Sequence, residues 1–270
     1  MEIKNRVFIV TGGGNGMGRE ITLNLVNKGA KVAAIDINEA GLNETVELAG
    51  EFGANISTHI VNIADIEAVE AFSADVLKVH GTVDGVINNA GIIQPFLKAQ
   101  ELDYTTIERV MNVNFYGTLY LTKTFLPLLM ERPEASIVNI SSMGGYLPVP
   151  GQSIYGAAKA GVKLFTESLQ SELKGSNVHV TVIFPGAIAT NIKANSGLKE
   201  DAPKEEKKKK VPIEPLAPSA AAEMIVGAIE NNQSRLFVGK DSWLMDKLYR
   251  ISPKFAANLI YKQMGDKINH

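Results

Sequence analysis

The feature that most constrains the fold is the alternation of short apolar runs with longer stretches of helical spacing. Seven runs have the length and composition of buried strands, and they lie at residues 7–10, 32–35, 56–63, 86–87, 137–140, 178–184 and 236–238. Between them apolar residues recur every three or four positions, as in Val69, Phe72 and Val76, which is typical of a helix with one buried face. The longest helix is predicted over residues 103–130, with a bend or a loosened last turn at Pro127. This alternation predicts one doubly wound α/β domain, with a seven-stranded parallel sheet and helices on both faces.

Two segments depart from the alternation. We expect a main domain over residues 1–240, with an insertion at 187–213, and an apolar helical extension of the same domain over 241–270. The insertion contains a lysine-rich run, residues 204–210, which is typical of a solvated loop. It is a substrate lid instead if inner residues such as Ile188 cover a ligand, and both interpretations stand.

The extension is unusually apolar for a chain end. Ser252 followed by Pro253 predicts the start of a helix. One face of this helix is predicted to carry Phe255, Ala256, Leu259 and Ile260, with Trp243 in the same cluster. We expect this cluster to pack on its own or a neighbouring subunit, rather than to contact a membrane or form a hydrophobic entrance to an active site.

Composition excludes several classes of function. The 270 residues carry a formal net charge of −2, whereas nucleic-acid binders need clustered basic residues to displace counterions, so no nucleic-acid partner is expected. The chain has no cysteine, which rules out disulfides, thiolate metal sites and cysteine nucleophiles, and we expect no metal. No apolar stretch approaches the about 20 residues of a membrane span, so we expect a soluble, cytoplasmic protein.

A cluster of glycines follows the first predicted strand. Residues 11–18 read TGGGNGMG and separate that strand from a helical pattern. A glycine cluster alone would also suit a flexible turn, but its position between strand and helix favours a nucleotide site. The spacing fits T-G-x-x-x-G-x-G, in which Gly12, Gly16 and Gly18 let the backbone approach a pyrophosphate at a helix N-terminus.

Asp36 ends the second predicted strand, eighteen residues after Gly18. A carboxylate at that position accepts hydrogen bonds from both adenosine ribose hydroxyls and repels a 2′-phosphate. Neither Asn15 nor Ile37 supplies the positive charge that a phosphate would need. The predicted cofactor is therefore NAD rather than NADP, the alternative being an ordinary surface aspartate.

The run YGAAK at residues 155–159 places a phenol and an amine one turn apart on a helix that Ser153 is expected to cap. Hydride transfer from an alcohol needs a base for the hydroxyl proton, and the reverse reaction needs an acid at the carbonyl oxygen. Tyr155 suits this task if its pKa is lowered from about 10. The Lys159 ammonium, together with an oxidised nicotinamide, would lower it. Taken alone, however, a Tyr–Lys pair of this spacing also occurs by chance in many helices.

Together these motifs resemble those of the short-chain dehydrogenases/reductases, in their NAD-preferring branch. The matching stretches are residues 11–18, 88–91 (NNAG), 113–117 (VNFYG), 141–142, 155–159 and 185–186. The resemblance covers residues 5–190 motif by motif, and the strands and helices to about residue 240. It implies a single Rossmann-type domain, hydride transfer between NAD(H) and a secondary alcohol or its ketone, and a homotetramer or dimer.

The resemblance also implies a role for each matched residue. Tyr155 would be the general acid/base, and Ser142, rather than the neighbouring Ser141, would hydrogen-bond the substrate oxygen. Lys159 would bind the nicotinamide ribose and lower the pKa of the tyrosine, and Asn114 would hold a water that links Lys159 to solvent. The predicted cofactor contacts are Gly12, Asn15, Gly16, Met17, Gly18, Asp36, Ile37, Asn62, Ile63, Asn89, Gly91, Tyr155, Lys159, Pro185, Gly186, Ile188 and Thr190.

The substrate is expected to be a hydrophobic alcohol or ketone, because the side chains expected around it are apolar. These are Ile93, Phe96, Met143, Leu147, Val149 and Ile188. A catalytically silent NAD-binding regulatory or scaffold protein is the alternative. Such a protein would keep the glycine turn but would not need Ser142, Tyr155 and Lys159 together.

Overall fold

The structure is a computed structural model that describes residues 1–198 and 214–268. Residues 199–213 of the predicted insertion, with the lysine-rich run 204–210, lie outside the described residues.

The described strands form one seven-stranded parallel sheet, which confirms the predicted fold class. The strands are β1 (Val7–Thr11), β2 (Lys31–Asp36), β3 (Ile56–Ile60), β4 (Gly85–Asn88), β5 (Ala135–Ile140), β6 (Val178–Pro185) and β7 (Arg235–Val238). Their order across the sheet is β3-β2-β1-β4-β5-β6-β7. The chain reverses its direction of travel across the sheet between β1 and β4, and the carboxyl ends of strands at such a point form a crevice that binds ligands.

In the described ranges, ten α-helices connect and follow these strands. They are α1 (Gly16–Asn27), α2 (Glu39–Leu48), α3 (Ile66–His80), α4 (Tyr104–Met111), α5 (Gly117–Met130), α6 (Ser153–Glu172), α7 (Ile192–Asn195), α8 (Pro218–Glu230), α9 (Lys240–Ile251) and α10 (Pro253–Met264). The helices α1 and α8 pack on one face of the sheet, whereas α3, α5 and α6 bury their apolar residues on the other. Both faces of the central strands are therefore covered, which explains their near-continuous apolar sequence.

The strand β3 is shorter and more exposed than predicted. The apolar run 56–63 predicted a buried strand, but β3 ends at Ile60, whose side chain is 61% exposed. It lies at the edge of the sheet and pairs with β2. The prediction of a buried strand was wrong because an edge strand does not need an apolar residue at every position.

The single helix predicted over residues 103–130 is interrupted, but not at Pro127. A π-helical turn at Asn112–Tyr116 separates α4 from α5, and α5 continues past Pro127 to Met130. The proline removes one hydrogen bond in the last turn, where few bonds remain to be broken. The wider π turn instead lies at Asn114, one of the predicted site residues, as is frequent at functional sites.

The extension forms α9 and α10, and their inner faces pack against the loop that follows β5. Ser252 is the N-cap of α10, as predicted, although its side chain makes no capping hydrogen bond. Ala256 and Ile260 are buried, but Phe255 and Trp243 are more than half exposed, so their predicted place in the cluster was wrong. Within the part of the chain that the structure describes, no helix combines the length and apolarity needed to cross a bilayer.

Candidate active site

The glycine turn joins β1 to α1 and leaves the start of that helix open towards a cleft. The side chain of Asn15, the N-cap residue, makes no capping hydrogen bond, and the first turn contains no acidic residue. Gly12 and Gly16 have φ angles of +69° and +52°, which favour glycine. A side chain at Gly18 would run into the Gly12 carbonyl oxygen. The first-turn N–H groups and the positive end of the helix dipole therefore suit a pyrophosphate.

Two adjoining clefts contain nearly all the predicted cofactor residues. The first has a volume of about 670 Å³, and its lining includes Gly12, Asn15, Gly16, Met17, Asp36, Ile37, Asn62, Ile63, Asn89, Gly91 and Thr190. The second, of about 380 Å³, is lined in part by Tyr155, Lys159, Pro185, Gly186 and Ile188, and it shares Met17, Asn89, Gly91 and Thr190 with the first. The buried Gly18 lines neither cleft and acts through the shape of the turn.

Asp36 is held in place by backbone amides at the end of β2. The Gly14 N–H donates to Asp36 Oδ2 at 3.1 Å, and the Asn38 N–H donates to Oδ1 at 3.1 Å. Each carboxylate oxygen retains a further lone pair. The carboxylate thus lies on the wall of the first cleft with acceptor capacity for a ribose diol.

An arginine close to this region was missed by the sequence analysis, which considered only the residues beside the glycine turn and Asp36. Arg19 donates from Nη2 to the Gly14 carbonyl oxygen at 2.7 Å and forms an ion pair with Glu44. Its Nε donates to Thr45 Oγ1 at 3.1 Å. These bonds connect Arg19 to the glycine turn and to α2. The guanidinium therefore stabilises the turn.

Thr11 and Asn89 join the ends of β1 and β4 at the point where the chain reverses. The Asn89 and Ala90 amides donate to Thr11 Oγ1 at 2.9 and 2.8 Å, and Asn89 Nδ2 donates to the Thr11 carbonyl oxygen at 2.9 Å. These bonds fix the crevice between the two strands, and both clefts are lined there by Asn89 and Gly91.

Ser142, Tyr155 and Lys159 line the second cleft together. The Lys159 ammonium is almost fully buried and donates to the Ile140 carbonyl oxygen at 2.9 Å. The Ser142 hydroxyl accepts from the Gly144 N–H at 3.0 Å and still has a proton to donate. The adjacent Ser141 points inward instead, because its hydroxyl donates to the Lys159 carbonyl oxygen at 2.8 Å. Both serines line the second cleft, but the Ser141 proton is committed to this carbonyl oxygen, so Ser142 stays the predicted partner of the substrate oxygen.

Burial shifts the pKa values of both Tyr155 and Lys159. Burial raises the pKa of Tyr155, and a hydrogen bond with Ser142 offsets part of that rise. Burial also lowers the pKa of Lys159 to about 8. The lowering that was expected from Lys159 together with an oxidised nicotinamide is not provided by the chain alone, because desolvation outweighs the hydrogen bond with Ser142.

Asn114 holds the loop after β4 against the π turn. Its Oδ1 accepts from the Ile92 N–H at 3.0 Å, and its Nδ2 donates to the Ile92 and Val110 carbonyl oxygens at 2.8 and 3.0 Å. A Cβ on Gly91 would lie 2.7 Å from Asn114 Oδ1 and 3.2 Å from Lys159 Nζ. Gly91 therefore keeps a narrow space between the amide and the ammonium.

The start of the helix that carries Tyr155 is capped by Gln94, a residue that the sequence analysis missed. Ser153 was expected to cap α6, but it is the first residue of the helix, and the N-cap residue Gln152 makes no side-chain cap. The fully buried Gln94 instead accepts at Oε1 from the N–H groups of Ile154 and Tyr155, at 2.8 and 3.0 Å. No local pattern indicates this cap, because Gln94 comes from a distant loop.

Two further hydrogen bonds join the same two segments, and we call the four bonds around Gln94 the clamp. Gln94 Nε2 donates to the Gly151 carbonyl oxygen at 3.0 Å, and Gln152 Nε2 donates to the Gln94 carbonyl oxygen at 2.8 Å. The loop after β4 and the segment before α6 are therefore held together on both sides. These bonds fix the start of the helix that carries Tyr155.

The second cleft is predominantly apolar, as expected. The apolar lining includes Ile93, Phe96, Met143, Val149, Ile188, Ile192 and Met264. Leu147, which was expected there, packs instead with Ala256 and Ile260 of the extension. Met264 shows that the extension supplies part of the cleft wall.

The extension is joined to the end of β6 by buried polar groups. Asp241 accepts from the Ala187 N–H at 2.7 Å, and the Ser242 hydroxyl donates to the Phe184 carbonyl oxygen at 2.8 Å. The Tyr146 hydroxyl donates to the Ser242 carbonyl oxygen at 2.7 Å. These contacts make α9 part of the support for the second cleft.

Comparison with known proteins finds relatives of this chain. A family model described as short chain dehydrogenase matches residues 6–201. The protein SadH of Mycobacterium tuberculosis (strain CDC 1551 / Oshkosh) is 37% identical over 254 residues, which cover 92% of this chain and 91% of SadH.

Two solved structures share the fold at lower identity. A short chain dehydrogenase/reductase from Burkholderia phymatum in complex with NAD has a TM-score of 0.80 and is 24% identical, covering 88% of this chain and 90% of its own. A short chain dehydrogenase from Burkholderia cenocepacia J2315 in complex with NADP has a TM-score of 0.78 and is 22% identical, covering 98% of this chain and 99% of its own. One of the two neighbours thus holds NAD and the other NADP.

Proposed function

The chain belongs to the short-chain dehydrogenase family of oxidoreductases, and we propose that it transfers a hydride between NAD(H) and a hydrophobic secondary alcohol or its ketone. The observation that carries this proposal is the meeting of Ser142, Tyr155 and Lys159 in an apolar cleft that adjoins the cleft lined by the glycine turn and Asp36. A regulatory or scaffold protein that only binds NAD would not need these three residues at one site.

Each residue has a defined task in this reaction. The Ser142 hydroxyl donates to the substrate oxygen and positions it beside the Tyr155 phenol. Tyr155 takes the hydroxyl proton when an alcohol is oxidised and returns it when a ketone is reduced. Lys159 holds the nicotinamide ribose, and Asn114 with the Ile92 backbone holds the loop beside it.

The state of Tyr155 sets the conditions for proton transfer. Its pKa is raised in the chain by itself, so a cationic group close to the phenol is needed to lower it towards neutrality. NAD, when bound, supplies both the hydride acceptor and a positively charged ring. The Lys159 ammonium adds to that effect at pH values below about 8, where it is charged.

The proposed preference for NAD rests on Asp36. Its carboxylate is fixed on the cleft wall with free acceptor capacity, and the nearby guanidinium of Arg19 is paired with Glu44. A 2′-phosphate would face an uncompensated negative charge there. Asp36→Asn keeps the shape but removes this charge, so we expect the ratio of NAD to NADP affinity to fall by at least about tenfold.

The proposal is tested by following NADH absorbance. The purified protein is mixed with NAD, and separately with NADP, and with secondary alcohols graded from short aliphatic to polycyclic. Turnover with NAD that increases with the apolar size of the alcohol supports the proposal. Binding of NAD without turnover of any alcohol, or of any ketone with NADH, would favour the regulatory alternative.

The proposal extends to assembly and location. We propose a homotetramer or dimer in the cytoplasm, built around α6 and the segment from α4 to α5 that holds Asn114, where the exposed apolar side chains include Tyr116 and Leu164. Light scattering on the purified protein tests the assembly. A monomer at all concentrations would contradict it.

A further inference from the structure

The outer face of α9 combines exposed apolar side chains with cations. Trp243, Lys247 and Arg250 follow the spacing i, i+4, i+7, and Lys240, Leu244, Lys247 and Ile251 follow i, i+4, i+7, i+11, so these residues share one side of the helix. Trp243, Leu244 and Ile251 are 54%, 51% and 83% exposed. Lys247 Nζ lies 6.0 Å from the centre of the Trp243 ring.

The outer face of α10 has the same character. Its exposed side chains include Lys254, Phe255, Tyr261 and Lys262. The inner faces of α9 and α10 pack against Leu147 and Met143, so neither outer face is covered by the described chain. We call the two outer faces the basic apolar surface.

Charge separates the two sides of these helices. The acidic residues of α9 and α10 are Asp241 and Asp246, and both are buried. Asp246 pairs with Arg250, but Lys240, Lys247, Lys254 and Lys262 form no ion pair with a described residue. The basic apolar surface thus presents unpaired positive charge among protruding aromatic and aliphatic groups.

We propose that the basic apolar surface binds the surface of an anionic lipid membrane. Aromatic and aliphatic side chains flanked by lysines suit the interface between headgroups and acyl chains, where aromatic rings insert and lysines meet lipid phosphates. The protruding side chains need no matching pockets in a fluid surface. A second copy of the chain fits less well, because a symmetric contact would set the four lysines against each other.

The surface also lies on the helices that close the second cleft. Met264 at the end of α10 lines that cleft, and Met143 joins the cleft to the inner face of the extension. A membrane on the outer face would therefore lie one helix layer away from the apolar site. Binding to lipid does not depend on the proposed reaction and is tested without it.

The chain offers a direct probe of this surface, because Trp243 is its only tryptophan. The full-length protein is titrated with vesicles of phosphatidylcholine containing one third phosphatidylglycerol, and with vesicles of phosphatidylcholine alone. We expect a blue shift of the Trp243 emission with the anionic vesicles, quenching by brominated acyl chains, and reversal at high salt. No shift, or an equal shift with both vesicles, would overturn the proposal.

Two matched charge reversals locate the contact. Lys254→Glu with Lys262→Glu should weaken vesicle binding by at least about tenfold, whereas Lys207→Glu with Lys208→Glu, in the lysine-rich run, should leave the Trp243 shift in place. The opposite pattern would assign binding to the run and overturn the proposal. A shift that depends on protein concentration without lipid would do the same in favour of a second copy. Circular dichroism and NAD binding, unchanged in both double variants, confirm that they are folded.

Discussion

Replacing Gln94 with leucine should damage both the stability of the fold and the placement of Tyr155, the proposed acid/base. The change leaves the N–H groups of Ile154 and Tyr155 without their acceptor and the Gly151 carbonyl oxygen without its donor. Losing a helix cap costs about 1 kcal/mol, and each buried donor left unpaired costs about 1–3 kcal/mol. We therefore expect Gln94→Leu to lower the free energy of unfolding by roughly 2–4 kcal/mol, or Tm by about 4–16 °C.

The catalytic consequence distinguishes positioning from support alone. Because the two unpaired amides begin the helix that carries Tyr155, a shift of that helix should lower kcat by at least about tenfold while NAD affinity changes little. Thermal unfolding by circular dichroism gives the stability, and NADH absorbance with the best substrate of the panel gives kcat.

A matched control is available in Gln170, whose side chain also bonds two backbone groups, the Val180 and Ser234 carbonyl oxygens. Gln170→Leu should lower Tm but leave kcat per folded molecule unchanged, because it lies away from both clefts. If Gln94→Leu loses stability yet keeps its kcat, the positioning role is wrong. If it keeps both, the clamp itself has no energetic importance.

Three further predictions concern single residues of the site. Between pH 8 and 10.5 the unfolded chain keeps a proton on Lys159 that the folded chain has lost, because burial lowers the pKa of this amine to about 8. The free energy of unfolding of the wild type, measured in urea, should therefore rise by about 3 kcal/mol over this range relative to that of Lys159→Met. A difference that stays constant with pH would contradict the burial of the amine. Gly91→Ala places a methyl group 2.7 Å from Asn114 Oδ1 and 3.2 Å from Lys159 Nζ, and it should lower kcat by at least about tenfold, whereas unchanged kinetics would show that the space is not needed. Gly18→Ala meets the Gly12 carbonyl oxygen and should reduce NADH affinity by at least about tenfold in a fluorescence titration, and a folded variant with normal affinity would refute the role of the turn.

Local sequence patterns predicted the parts of the site that depend on short stretches of chain. The parallel sheet followed from apolar runs separated by helical spacing, because a strand buried on both faces needs such a run. The glycine turn and Asp36 lie at the ends of β1 and β2, because these residues come where the apolar runs stop. Tyr155 and Lys159 share a face because helix geometry requires it at that spacing.

Features that depend on contacts between distant segments were not predictable in this way. The cap by Gln94 and the bonds of Arg19 join residues far apart in sequence. The exposure of Phe255 and Trp243 depends on which side of the extension meets the protein. An apolar pattern shows that a face exists, but the fold decides whether that face is covered.

The central claim is that Tyr155 exchanges the proton during hydride transfer to NAD. The most direct test measures Tyr155→Phe in two ways, by NADH absorbance with the best alcohol and by NADH fluorescence for cofactor binding. We predict that kcat falls at least about a hundredfold while the Kd for NADH stays close to that of the wild type. A variant that binds NADH and turns over at the wild-type rate would contradict the claim.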